Sequence, residues 1–367
     1  MAIAVSSAAD LNNVRNDLSG DYIHTADIDL SEWGTWTPIG DWENYFYGSY
    51  DGGGYKITGM TAHGHQGVGL FSHVGIPTDM EEGQSRHIEI KNVKLENVRV
   101  TGSFYVGGLI GYVARIGAHE NKTIHIFRCS VDNPIDEEEF AVSAEHDSVG
   151  LLVGWIDCWQ VENGLIEQCF TRGRVSGGQD VGGLVGVCYV AQFRDCFFRG
   201  EVHMPGAGNW HVYGGIAAMA DTSTFENCYT QALFSADELW GWPAVGPITG
   251  GTGNIGDITS CYFTYETDLE GTYILSENGT ERTPEDMRFP ENFNTTYLDW
   301  DFENVWRHDP AWQINAGYPH FEDVGFNIWV YKSGVWMLVP SIWSYKSGAW
   351  QALSTVDAMK SGFWNPI

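Results

Sequence analysis

A glycine-rich hexapeptide keeps returning along this chain. It reads Val106-Gly107-Gly108-Leu109-Ile110-Gly111, then Val149-Gly150-Leu151-Leu152-Val153-Gly154, then Val181-Gly182-Gly183-Leu184-Val185-Gly186. Looser copies are Gly67-Val68-Gly69-Leu70-Phe71, Tyr213-Gly214-Gly215-Ile216-Ala217 and Gly246-Pro247-Ile248-Thr249-Gly250. Aligned on Leu70, Leu109, Leu151, Leu184, Ile216 and Ile248, the steps are 39, 42, 33, 32 and 32 residues. A recurring period of this size marks a repeat architecture, in which each unit buries its apolar face against its neighbours.

A second element alternates with the first. It reads Ile166-Glu167-Gln168-Cys169-Phe170, Phe193-Arg194-Asp195-Cys196-Phe197, Phe225-Glu226-Asn227-Cys228-Tyr229 and Ile258-Thr259-Ser260-Cys261-Tyr262. Phe127-Arg128-Cys129 and the run from Ile88 to Val100 are looser copies. Both elements alternate apolar and polar residues over a few positions, which is strand periodicity, and no helical segment separates them. The pattern predicts a parallel β-solenoid, with Leu over Leu and Cys over Cys about 4.8 Å apart. The cysteines are expected as free thiols in a sheet: small apolar thiols suit a narrow core, and the rung spacing is poor for disulfides. The longer early steps predict loops bulging from the first coils. Composition agrees, since 45 Gly, 14% aromatic and 18% charged residues favour turns and strands over helices.

These motifs resemble the GLUG-repeat family, whose G-L-x-G core stands here as Gly108-Leu109-Ile110-Gly111 and Gly183-Leu184-Val185-Gly186. The family's opening segment is similar to Asp27-Ile28-Asp29-Leu30, Trp36-Thr37-Pro38-Ile39-Gly40 and Asp51-Gly52-Gly53-Gly54-Tyr55-Lys56-Ile57. Its closing segment is similar to Trp300-Asp301-Phe302, Val305-Trp306 and Gly317-Tyr318-Pro319. The resemblance spans roughly residues 5–322 and implies an all-β, right-handed parallel β-helix. It implies little about function, because the family occurs in surface adhesins, in phage structural proteins and as a non-catalytic part of IgA-cleaving metallopeptidases.

The ends of a solenoid need covers. Ser7-Ala8-Ala9-Asp10 resembles a capping box, and Leu11, Val14 and Leu18 share a helical face that Gly20 can end. The expected divisions are therefore a cap helix in 1–20, coils in 21–264 and a C-terminal cover in 265–326. Residues 327–367 form a different unit. Three copies carry Lys-Ser-Gly, and Gly334, Gly348 and Gly362 are 14 residues apart. Lys-Ser-Gly between aromatic runs is a hairpin signal. These hairpins resemble repeats at the ends of phage tail and virion proteins. Trp329, Trp336, Trp343, Trp350 and Trp364 make the unit an expected assembly interface, because so short a segment cannot bury such rings alone.

Charge narrows the partners. With 19 Lys and Arg against 48 Asp and Glu, the net charge of −29 repels nucleic acid and anionic membrane. No run of about 18 apolar residues exists to span a bilayer. The start, MAIAVSSAADLNN, has no basic region followed by an apolar run, so synthesis in a host cytoplasm without a signal peptide is expected. The acidic run Asp136-Glu137-Glu138-Glu139 suits a solvated face, with a structural cation such as Ca as the alternative; no other cofactor is expected.

Chemical signatures are absent from the sequence. His119-Glu120 and Glu145-His146 lack the second His of the H-E-x-x-H peptidase motif, and no G-x-S-x-G, P-loop or dinucleotide fingerprint occurs. No C-x-x-C pair occurs among the seven Cys. His63, His65 and His73 are read as surface loop histidines, with metal binding as the alternative. The aromatics are more informative. Phe104, Tyr105, Trp210, Trp240 and Trp242 lie at −5, −4, −6, −8 and −6 from the ladder residues, which puts them along one solenoid edge where they could stack on sugar rings. The expected function is a non-catalytic virion structural protein, a tail fibre or tailspike that binds host glycan and assembles with itself, as a trimer for instance, or with other virion proteins. A cellular surface adhesin and a polysaccharide-degrading spike are the alternatives.

Overall fold

The computed structural model describes residues 2–76, 86–116, 122–135, 139–158, 164–206, 211–238, 241, 243–251, 254–267, 279–288, 295–309, 314–321, 328–332, 335–339, 343–346 and 349–352. The chain is almost all β. Three sheets of nine, sixteen and five strands run the length of a solenoid-like stack, and the strand pairs described within them are parallel.

One turn of the chain shows how the sequence makes a coil. Strand Gly164–Glu167 lies in the first sheet, Gln168 turns with φ 51°, and Cys169 plugs the corner. Strand Phe170–Gly182 follows in the second sheet, Gly183-Leu184 makes the next corner, and Val185–Tyr189 lies in the third. Val190, with φ 57°, then returns the chain to the first sheet at Gln192–Arg194. The next coil sits directly above. Val149, Val181, Tyr213 and Val245 are successive register partners, 32 residues apart each time.

The second sequence element is thus a strand end plus a left-handed turn. Asn92, Arg128, Gln168, Asp195, Asn227 and Ser260 all hold φ between 50° and 53°, a region that non-glycine residues adopt only when their surroundings enforce it. The Cys that follow are buried free thiols, as are Cys158 and Cys188. They sit in the corner between sheets, not within a sheet as expected. Cys169 Sγ donates to the carbonyls of Ile126 and Glu167 at 3.4 and 3.3 Å, so the corner thiols also tie coil to coil.

The Gly-Leu element is the opposite corner. A Cβ at Gly182 would lie 1.9 Å from the Val185 carbonyl oxygen, and one at Gly214 would lie 1.8 Å from that of Ala217, so only glycine lets the chain fold back this tightly. The ladder differs from the sequence alignment at one rung. Ile110 pairs with Val153, and Leu109 N–H donates to the Leu152 carbonyl at 3.0 Å. Leu152, not Leu151, therefore stands over Leu109, and the ladder runs Leu70, Leu109, Leu152, Leu184, Ile216, Ile248, all fully buried. Leu151 takes the place of Gly108.

The ends depart further from expectation. Ser7 caps the N-terminal helix, accepting from Asp10 N–H at 3.2 Å, but the α-helix covers only Ala8–Asn13, with a 3-10 turn at Val14–Asn16. Leu11 and Val14 are buried in the first coil. Before the helix, Ile3–Val5 is an unexpected strand paired in parallel with Asp21–His24, which adds a rung below the first coil. At the other end, Thr280–Glu281 extends the last coil by pairing with Tyr262–Thr267. Beyond it, the described stretches 295–309 and 314–321, expected as part of an end cover, lie along the flank. Trp300, Trp306, Tyr318 and Phe321 pack on a row formed by Phe170, Phe197, Tyr229 and Tyr262, one from each of four successive coils. Phe170, Phe197 and Tyr229 stack with centroids 4.8 and 4.9 Å apart.

In the C-terminal unit, Ile328–Lys332 pairs antiparallel with Val335–Val339, and Trp343–Lys346 with Ala349–Ala352, the strand pairs of two of the three expected hairpins. The third copy, with Trp364, lies outside the described residues.

Candidate functional site

The chemistry-bearing side chains concentrate where the second sheet meets the third in the early coils. Register sets the first row. His73 pairs with Tyr112 and Tyr112 with Trp155, so three rings rise in line on the third sheet. Their centroids are 5.4 Å apart for His73 and Tyr112 and 6.5 Å for Tyr112 and Trp155. The register partner of Trp155 in the next coil is the buried Val187, and Tyr189, two residues further on, stands 5.4 Å from Trp155. Trp42, 58% exposed, stands 5.3 Å from His73 and 6.0 Å from Tyr112.

A bulge adds the second row. The pairing of Arg99–Gly107 with Val142–Gly150 shifts between Gly102 and Phe104, and Tyr105 takes a left-handed φ of 54°. Neighbours in a regular strand face opposite ways. The bulge instead leaves both Phe104 and Tyr105 half-exposed on the outside. Tyr105 stands 5.3 Å from both Tyr112 and Trp155, and Phe104 stands 5.0 Å from His146 and 5.5 Å from His65. A groove of about 480 Å³ opens beside Phe104, lined among others by His63, Thr101, Ser103, Ser143 and Glu145.

Carboxyl groups border this belt. Ser148 and Asp180 occupy the Tyr105 position in the next two coils and share its left-handed turn, with φ 60° and 51°. Ser148 Oγ donates to Asp147 at 2.7 Å. The Asp180 carboxyl is only 4% exposed, and its Oδ1 has no hydrogen-bond partner among the described residues. Burial, reinforced by the adjacent Asp147 charge and a hydrogen bond to it, pushes the Asp180 pKa up to about 8. The shift favours the protonated carboxyl, which can donate as well as accept. Tyr105 and Tyr189 are also raised, by burial first and then by Asp147 and Asp180 respectively. The buried Trp155 indole N–H finds no acceptor among the described residues. Flat apolar rings beside a few convergent polar groups are the composition of a site for amphipathic ligands.

No protein-family profile matches this chain. A Gly-rich membrane protein of Evansella cellulosilytica, provisionally so named, is 33% identical over 132 residues, which are 33% of this chain and 14% of that protein. The match thus spans about a seventh of that relative's length. A crystal structure from Bacteroides ovatus, provisionally assigned as an immunoglobulin A1 protease, superposes with a TM-score of 0.58 at 17% identity. It covers 88% of this chain and 92% of that one, so the two share a fold. A second structure named as an IgA1 protease aligns with a TM-score of 0.49 at 15% identity over 73% of this chain and 20% of its own.

Of the residues expected to face glycan, Phe104 and Tyr105 are in the belt, while Trp210, Trp240 and Trp242 lie outside the described residues. Trp42, Tyr112, Trp155 and Tyr189 escaped the sequence search. Tyr112 and Trp155 each stand three residues after their ladder leucine, Leu109 and Leu152, but placing Leu151 on the ladder broke that equality. His63, His65 and His73 do not gather as a metal-ligand group; His73 is buried, its Nδ1 2.8 Å from Ser72 Oγ. Most of the acidic run, 136–138, lies outside the described residues.

Proposed function

We propose that this chain is a glycan-binding solenoid of the GLUG-repeat type, coiled as a right-handed parallel β-helix, that serves as a host-facing structural component of a virion. The observation that carries the binding role is the row of Tyr112 and Trp155 beside Tyr105 and the exposed Trp42. Sugar rings present apolar C–H faces that stack on such rings, while their hydroxyls suit the polar groups of Ser103 and Glu145 in the adjoining groove. The virion setting is supported by the hairpin units of 328–352, whose aromatic repeat resembles those of phage tails. A second reading, a cellular surface adhesin, is favoured by the relative named as a membrane protein.

A glycan array of bacterial surface polysaccharides tests the binding role. Binding to a defined glycan class should fall at least tenfold in Trp155→Ala and in Trp42→Ala, with Trp42→Ala leaving thermal stability unchanged. Absence of binding to any surface glycan overturns the reading. New reducing ends or unsaturated uronides released from the bound polymer would replace it with a depolymerase.

A further inference from the structure

Away from the aromatic belt, the outer face of the first sheet carries a second set of convergent side chains. We propose that His87, Glu89 and His125 form a binding site for a borderline-soft divalent transition-metal ion, of which Zn²⁺ is the representative.

The placement follows from strand geometry. His87 and Glu89 are two residues apart on strand Arg86–Lys91, so both leave the same face. His125, on strand Lys122–Phe127, is the register partner of Glu89 in the next coil. One ligand atom from each of the three residues lies within 4.8 Å of the other two. Tetrahedral zinc with bonds of about 2.0–2.1 Å holds its ligands roughly 3.3 Å apart. His87 is exposed, so its ring has room to move toward the half-buried pair when an ion binds.

Among the described residues, one ligand atom of each of the three has no hydrogen-bond partner. His87 Nδ1 lies 2.6 Å from Thr123 Oγ1, which leaves Nε2 for an ion. His125 Nε2 lies 3.0 Å from Glu167 Oε2, contributed by a third coil, which leaves Nδ1. A carboxylate on the far nitrogen of a ligating imidazole is the usual outer partner in zinc sites, fixing the ring and raising its basicity. Glu89 Oε2 is held by Lys91 at 2.5 Å, and Oε1 remains. Lys91 also lies 4.0 Å from Asp51, a carboxylate toward which it can turn when Glu89 takes up a cation.

Two imidazoles and one carboxylate select zinc, copper, nickel or cobalt over calcium, which prefers oxygen donors. Three protein ligands leave an open position for water or a fourth donor. The ion would staple two coils, with Glu167 bracing it from a third. The thiols do not compete for it, since all seven are buried and burial pushes Cys158 and Cys188 up to about 12.

The test is a titration of the tag-free full chain with Zn²⁺ against a chromophoric chelator, together with melting curves. One Zn²⁺ should bind per chain and raise the melting temperature, and Ca²⁺ in equal amount should neither compete nor stabilise. His87→Ala, His125→Ala and Glu89→Gln should each weaken binding at least tenfold and abolish the melting shift, while His63→Ala changes neither. Glu167→Gln should weaken binding about tenfold through the ring it orients. The proposal is overturned by any of three results: no zinc binding, binding that the three ligand variants leave intact, or displacement of zinc by equimolar calcium.

Discussion

The indole N–H of Trp306 donates to the carboxylate of Asp195 at 3.0 Å, joining positions 111 residues apart. Asp195 sits in one of the left-handed corner turns, so this bond fastens the segment around Trp306 to the flank of the coils. Burial raises the Asp195 pKa, and the Trp306 bond works against that rise by favouring the charged form.

Trp306 is fully buried between Phe321, 4.4 Å away, and Trp300, also 4.4 Å away. Trp306→Ala should therefore cost about 3–5 kcal/mol, the range for deleting a large buried ring. Urea denaturation measures the loss, and limited proteolysis should show new cuts in 289–321. A loss under about 1 kcal/mol would mean the segment is not bound through this ring.

Leu184 occupies the middle of the corner ladder and is fully buried. Leu184→Ala should cost about 2–5 kcal/mol, since coils above and below hold the cavity open. Leu151→Gly should be milder than Leu152→Gly, because Leu151 replaces a glycine of the other coils while Leu152 belongs to the ladder. Chemical denaturation of the pair separates the two registers.

How much was legible follows from that rung. The repeat, the parallel stacking, the buried Leu and Cys rows and the Ser7 cap were all written in local pattern. The register was not, because Leu151 and Leu152 are both apolar and a ladder needs only one. The slip concealed Tyr112 and Trp155 as equivalent positions. The flank packing of Trp300 and Trp306 was also invisible: their motif announces a closing segment but not the row of Phe170, Phe197 and Tyr229 that receives it. Asp180 is a third case, since nothing in its neighbours' sequence marks it as a buried carboxyl.

Asp180 gives a pH prediction. Its pKa rises from 3.8 in the ordinary state to about 8 in the fold. Between those values the unfolded chain releases a proton that the folded chain keeps, so stability is full below about pH 4 and declines as pH rises toward 8. The decline is at most about 1.4 kcal/mol per pH unit from this group. Asp180→Asn should remove it, so the variant gains on the parent steadily from pH 5 to pH 8. Parallel stability curves for the two proteins would contradict the assignment.

The hairpin unit gives an assembly prediction. A chain ending at residue 326 should keep the solenoid's circular dichroism and melting transition but sediment as a monomer, whereas the full chain forms a larger species. Equal sedimentation of the two forms would remove 327–367 from the assembly account.

We propose sugar binding at the belt around Tyr112 and Trp155. The most direct measurement is a crystal structure of the chain with the smallest oligosaccharide that the array selects. A pyranose ring should stack on Trp155, Tyr112 or the exposed Trp42. An oligosaccharide bound elsewhere on the solenoid, with the belt empty, would contradict the claim.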